Sequence, residues 1–123
     1  VAHKILIVDD SDTLRIQLRK ALEEGGYDVI EAEDGVKGLA RATENNDLKL
    51  IISDYNMPEM DGVTMCRKIR ELPGFDQIPM FMLTTEASPE LKALGKEAGV
   101  KAWIVKPFVA EKVIGVTKKV LGG

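Results

Sequence analysis

The sequence predicts an α/β fold: a five-stranded, parallel, doubly wound sheet between layers of helices, a three-layer sandwich with five helices. Three observations lead there. Five short runs rich in apolar and β-branched residues recur along the 123-residue chain, each followed by a stretch with helical spacing. Most runs are apolar without strict alternation, as strands are when helices cover both faces of a parallel sheet. Run starts recur roughly every 20–30 residues, the length of a strand plus its crossover helix, and right-handed crossovers then put helices on both faces.

The elements follow in order. The first strand is predicted at 5–8, followed by a helix whose apolar stripe is Leu14, Leu18, Ala21 and Leu22 and which turns at Gly25-Gly26. The second strand is 29–32, and its helix presents Val36, Leu39, Ala40 and Thr43. The third is 50–52, with a helix on Met65, Cys66, Ile69 and Leu72 that ends at Pro73-Gly74. The fourth is 80–83. Its helix carries Leu91, Leu94 and Ala98, with Ser88 as N-cap, Pro89 in the first helical position and Gly99 as the stop. The fifth is 103–105, and the last helix presents Val113, Ile114, Thr117, Val120 and Leu121. Gly115 in its interior weakens that helix by about 1 kcal/mol relative to Ala.

Composition narrows the function classes. Apolar residues make up 45 % and charged residues 30 %, a globular balance that argues against disorder. Seventeen Lys and Arg against twenty Asp and Glu leave a net charge of −3, so no whole-chain field draws the protein to nucleic acid or to an anionic membrane. The longest apolar runs are four residues, whereas a membrane-spanning helix needs about 20. No basic start followed by an apolar run marks a secretory signal. The lone Cys66 rules out an internal disulfide and a Cys-rich zinc site. The expectation is one cytoplasmic domain over 1–123.

Ligands of open α/β sheets bind beyond the carboxyl ends of the strands. Here those ends carry Asp9-Asp10 after the first strand, Ser53-Asp54 after the third, Thr84-Thr85 after the fourth and Lys106-Pro107 after the fifth. Any one Asp in such a place is commonly a turn cap. Together on one rim they are another matter. Two carboxylates about 4 Å apart repel by ~4 kcal/mol at an effective dielectric near 20. Three such pairs would rival the whole stability of a small domain. Protons, Lys106 or a divalent cation must offset that charge unless the groups splay apart. Oxygen-only ligands select a hard cation, Mg²⁺ or Mn²⁺. A carboxylate beside a hard cation, a lysine and a hydroxyl has the parts for phosphoryl transfer to aspartate.

The stretches Ile5-Leu6-Ile7-Val8-Asp9-Asp10, Asp54-Tyr55-Asn56-Met57-Pro58-Glu59-Met60-Asp61-Gly62, Met82-Leu83-Thr84-Thr85-Glu86-Ala87 and Trp103-Ile104-Val105-Lys106-Pro107-Phe108 carry a resemblance. The chain resembles the receiver domain of two-component response regulators, most closely its single-domain, CheY-like chemotaxis type. The resemblance implies the flavodoxin-like strand order 2-1-3-4-5, for which flavodoxin and CheY are the standard examples. It implies that Asp54 is the phosphoacceptor and that Asp9, Asp10, Asp54 and the backbone carbonyl of Asn56 hold the metal, with Asp10 the more direct of the acidic pair. Thr84 then corresponds to the hydroxyl that moves to hold the phosphoryl group, and Lys106, before a cis proline bond, to the cation that pairs with it. The implied activity is phosphoryl transfer from a CheA-like sensor histidine kinase, or from small acyl phosphates, and self-dephosphorylation, rather than metabolic catalysis. Movement of Thr84 would let the strand-5 aromatic, Trp103, rotate from exposed to buried and reshape the face of helix 4, strand 5 and helix 5 for a downstream target such as a flagellar switch protein. The expectation is further a monomer with no direct nucleic-acid contact and no membrane insertion.

Four residues depart from or tune that pattern. Trp103 stands where Tyr or Phe is usual, and the larger ring has only an indole N–H donor. Thr85 replaces a small residue and narrows access to Asp54. Asn56 and Glu86, two residues past Asp54 and Thr84, occupy positions that tune self-dephosphorylation.

Rival readings are weaker. Asp10-Ser11-Asp12-Thr13 matches the Asp-x-Asp-x-Thr pattern of haloacid-dehalogenase-like phosphatases, but Thr84-Thr85-Glu86 stands where their later Gly-Asp motif belongs. A flavodoxin-type electron carrier needs a phosphate loop where this chain has Asp9-Asp10-Ser11-Asp12, and aromatics are only 5 %. A receiver excised from a longer regulator remains an alternative. Cys66 reads as a buried hydrophobe, His3 as a solvated terminus, Ile16 as an isolated exposed apolar residue, and the five methionines as loop and core residues.

Overall fold

A computed structural model describes residues 2–122; Val1 and Gly123, the ends of the expected domain, lie outside the described residues. The aliphatic runs form β1 (Lys4–Val8), β2 (Asp28–Ala32), β3 (Leu48–Ser53), β4 (Met80–Thr84) and β5 (Val100–Val105). All neighbours pair in parallel, in the order β2-β1-β3-β4-β5. The helices are α1 (Asp12–Glu24), α2 (Gly35–Glu44), α3 (Gly62–Arg70), α4 (Pro89–Glu97) and α5 (Ala110–Leu121).

Alternate residues of each strand feed two separate cores. Ile5, Ile7, Leu50, Ile52, Phe81, Leu83 and Ile104 pack with Leu18 and Leu22 of α1 and Val113 of α5. Leu6, Val8, Ile51, Met80 and Met82 pack with Ala42 of α2 and Met65, Cys66 and Ile69 of α3. Four helices start with a side-chain cap: Ser11, Asp34, Asp61 and Ser88 accept from the backbone N–H three residues on. Val109 before α5 makes no such bond. Gly99 takes φ +88 just past α4, the left-handed conformation that ends a helix most easily with glycine.

Several sequence expectations need correction. β3 starts two residues earlier than the apolar run and β5 three residues earlier, because the polar Lys49 and Lys101 point to solvent within paired strands. The apolar stripe assigned to α2 is wrong. Val36, Ala40 and Thr43 are exposed, and Gly35, Gly38 and Ala42 are buried with Leu39 half-buried. The helix lies so close to the sheet that a Cβ at Gly38 would stand 2.6 Å from Met65 Sδ and 3.0 Å from Val8 Cγ2. Small residues, not large apolar ones, mark its inner face. On α4, Leu94 is 41 % exposed while Gly95 is buried. His3 is half-buried beside Tyr27, ring centroids 6.5 Å apart, rather than solvated.

Candidate functional site

Backbone bonds that extend the parallel ladders beyond the strand ends set the site. Asp9 N–H donates to Ala32 O at 3.1 Å, Asp54 N–H to Val8 O at 2.9 Å, and Lys106 N–H to Thr84 O at 2.9 Å. These bonds line up the first residues past β1, β3 and β5. One contact leaves no slack: a Cβ at Gly62, the first residue of α3, would lie 2.1 Å from the carbonyl oxygen of Asp54. Gly62 also donates its N–H to Tyr55 O at 2.9 Å, which closes the loop after β3.

The side chains converge as the sequence suggested. Lys106 Nζ donates to Asp9 Oδ2 and to Asp54 Oδ2, both at 2.9 Å. Asp9, Asp10 and Asp54 each offer a carboxylate oxygen within 4.8 Å of the other two. Asp9 and Asp54 are buried and Asp10 is exposed, so the cluster opens to solvent on the Asp10 side. The second oxygen of Asp9 accepts from Ser11 N–H at 2.8 Å, and Asp54 Oδ1 accepts from Asn56 N–H at 3.3 Å. The Lys106–Pro107 peptide is cis.

Burial raises the Asp9 pKa above its usual 3.8, and the hydrogen bonds from Lys106 and Ser11 pull it part of the way back. For Lys106, burial alone would favour the neutral amine. The hydrogen bonds and charges of Asp9 and Asp54 outweigh it and raise the ammonium above its ordinary value. The lysine is therefore a fixed cation between two carboxylates. Two buried and one exposed carboxylate against one ammonium make an oxygen-rich, net-negative cluster, a donor set suited to a small hard cation.

The remaining predicted residues form a second group on the same rim. Thr84 is buried, and its Oγ1 accepts from Glu86 N–H at 3.3 Å rather than contacting a carboxylate. Asn56 Nδ2 donates to Glu86 Oε1 at 2.8 Å. Trp103 Nε1 donates to Glu86 O at 2.7 Å, and its ring is half-buried rather than exposed. Thr85 is exposed and lines an open groove with Leu14, Gln17, Lys106, Pro107 and Phe108. Two glycines had no role assigned from the sequence: Gly62, quoted there only as the end of the stretch that begins at Asp54, and Gly95, an interior helix glycine with no other mark. The phosphatase pattern has an ordinary use, since Ser11 caps α1 and Asp12 pairs with Arg15.

Residues 5–118 match the family described as the response regulator receiver domain. The chain belongs to that family. The receiver domain is 41 % identical over 120 residues to the chemotaxis protein CheY1 of Helicobacter pylori, covering 97 % of each chain, and 35 % identical to CheY of Bacillus subtilis, covering 98 % of this chain and 99 % of that one. Among solved structures, CheY4 of Vibrio cholerae superposes with a TM-score of 0.92 at 39 % identity, covering 98 % of this chain and 99 % of that one. CheY of Borrelia burgdorferi, solved in a complex with CheX, BeF₃ and Mg²⁺, gives 0.89 at 27 % identity, covering 97 % and 89 %. The receiver domain is thus of the CheY type. No helix among the described residues is long and apolar enough to cross a membrane.

Proposed function

We propose that this receiver domain is a cytoplasmic, phosphorylation-activated switch whose phosphoacceptor is Asp54, charged by a CheA-like histidine kinase in a chemotaxis or motility pathway. The observation that carries the reading is the Lys106 ammonium bridging Asp9 and Asp54 at 2.9 Å each, with Asp10 alongside. An Asp54 oxygen attacks phosphorus, the bond from phosphorus to the donor nitrogen breaks, and the donor imidazole keeps the electron pair. Lys106 offsets charge on the transferred group. Asp9, Asp10 and Asp54 with the carbonyl of Asn56 would hold Mg²⁺, which when bound supplies charge neutralisation to the phosphoryl oxygens. Mn²⁺ suits the same donors.

The output follows from the new charge, roughly −1.5 to −2, on Asp54. Thr84 turns its hydroxyl to the phosphoryl group and draws the β4–α4 loop inward. Trp103 is tied to that loop at Glu86 O, so the motion reaches β5. The face of α4, β5 and α5 exposes Leu94, Val105 and Val109, and a reshaped patch there would recruit the downstream target, a flagellar switch protein being the natural class. The complex of Borrelia burgdorferi CheY with CheX, BeF₃ and Mg²⁺ supports a metal-dependent phosphoryl state that partners engage.

Incubation with Mg²⁺ and acetyl phosphate should add one phosphoryl group per chain by intact mass, and Asp54→Asn should abolish it. Undiminished labelling of Asp54→Asn would move the acceptor elsewhere and overturn the assignment.

A further inference from the structure

Glu86, in the β4–α4 loop, is held from three sides. Its N–H donates to Thr84 Oγ1 at 3.3 Å, its carbonyl accepts from Trp103 Nε1 at 2.7 Å, and its carboxylate accepts from Asn56 Nδ2 at 2.8 Å. The indole fixes the Glu86 backbone while the Glu86 side chain fixes the Asn56 amide. Asn56 in turn donates its backbone N–H to Asp54 Oδ1 at 3.3 Å, so it stands at the mouth of the acidic pocket. The indole has a dedicated seat on α4. A Cβ at Gly95 would lie 2.7 Å from Trp103 Cζ3 and 3.1 Å from Cε3, so only glycine admits the ring in this pose. Glycine inside a helix is less favourable than alanine, so the seat exists against the local preference of α4.

We propose that Trp103 is a positioning residue for hydrolysis of the Asp54 phosphoryl group, acting through Glu86 on Asn56, with Gly95 as its seat. The inference rests on the assignment of Asp54 as phosphoacceptor. In hydrolysis a water oxygen bonds to phosphorus as the bond from phosphorus to the Asp54 oxygen breaks, and the carboxylate leaves with the electron pair. The water's protons pass to phosphate and solvent, and inorganic phosphate departs. On this reading the attacking water is taken up on the side of the pocket that Asn56 borders. With Nδ2 committed to Glu86, the free Asn56 Oδ1 accepts from the water and orients it. Without the indole N–H, the Glu86 backbone keeps only its bond to Thr84, the Asn56 amide is held less firmly, and fewer waters arrive aligned.

The test follows loss of the phosphoryl group from the full chain after charging with Mg²⁺ and acetyl phosphate and removing the donor. Two variants disturb the anchor differently: Trp103→Phe deletes the N–H, and Gly95→Ala displaces the ring while favouring the helix. A third protein carries the benzothiophene isostere of tryptophan at position 103, which keeps the shape and lacks only the N–H. Each should slow phosphoryl loss by roughly threefold to tenfold. Glu86→Ala should slow it similarly, and combining it with Trp103→Phe should add nothing further, since both act through one contact. In the uncharged protein, Trp103→Phe should also shift the Asn56 side-chain amide resonances. Unchanged rates in all three proteins, or a Trp103→Phe effect that persists undiminished without the Glu86 carboxylate, would overturn the inference. Failure of the wild-type chain to take up a phosphoryl group would instead overturn the Asp54 assignment, and this inference with it.

Discussion

Lys106 Nζ faces two buried carboxylates at 2.9 Å each, and a third, from Asp10, lies close by, so one ammonium answers three negative charges. Lys106→Met would leave Asp9 and Asp54 opposed with nothing between them. Removing one partner of a buried ionic cluster is destabilising chiefly through the charge left behind. The lysine retains some solvent contact, so the expected loss is about 2 kcal/mol in urea unfolding without metal, and part of it should return when Mg²⁺ is added. Asp9 gives the cluster its pH response. Burial makes it hold its proton more tightly than the usual 3.8, against the opposing pull of Lys106 and Ser11. A protonated Asp9 cannot offer a metal an anionic oxygen, so Mg²⁺ affinity should begin to fall on acidification at a pH above the ordinary aspartate range. A metal titration followed by fluorescence of Trp103, the single tryptophan, reads this directly. A fall that began only below 3.8 would contradict it. Burial acts the same way on Cys66, where as the largest influence it pushes the thiol up to about 12. It should resist alkylation at pH 8 in the folded protein and react promptly once the chain is unfolded.

At the scale of elements, the same substitution carries opposite signs in two helices. Gly62→Ala at the start of α3 would thrust a Cβ to within 2.1 Å of the Asp54 carbonyl, a backbone atom that cannot move without moving the acidic cluster. It should destabilise by about 3 kcal/mol or more and weaken metal binding in the fraction that folds. Gly115→Ala in α5 meets nothing within 4 Å and should stabilise by up to about 1 kcal/mol, read as a rise in the thermal midpoint. These contrasts explain what the sequence could and could not reveal. The strands were legible because both faces are buried, which leaves uninterrupted apolar runs such as residues 5–8 and 80–83. The clustering of Asp9, Asp10, Asp54 and Lys106 was legible because parallel strands deliver their carboxyl ends to one rim. The inner faces of α2 and α4 were not, because Gly38 and Gly95 mark contact by lacking a side chain, and a hydrophobic stripe sees only side chains that are present. Nor was the role of Glu86 O legible, since a backbone acceptor leaves no trace in residue identity.

Across the whole molecule, the charge logic of the two ends of the sheet is reversed. Beyond the carboxyl ends of the strands, carboxylates gather around one ammonium. Before the amino ends of β4 and β5, the Arg70 guanidinium gathers carbonyls. It donates to Phe75 O, Asp76 O and Ile78 O at 3.3, 3.2 and 2.6 Å, to Ala98 O at 3.2 Å and to Gly99 O at 2.9 Å. The last two carbonyls belong to the end of α4, where the helix dipole favours a cation. One side chain at the end of α3 thus ties the approach to β4 to the turn before β5. Gly99 is shaped to this tie, since a Cβ there would lie 2.6 Å from an Arg70 nitrogen. Arg70→Met should lower stability by about 2–3 kcal/mol, as several charge-assisted bonds go at once and their carbonyls only partly rehydrate. Arg70→Lys is the discriminating variant. A lysine keeps the charge near the α4 dipole but has a single nitrogen, which cannot span carbonyls on two connections as a planar fork does. It should recover less than half of the loss in urea unfolding. Full recovery by lysine would mean that charge at the helix end, rather than the bridge between the two connections, is what Arg70 contributes.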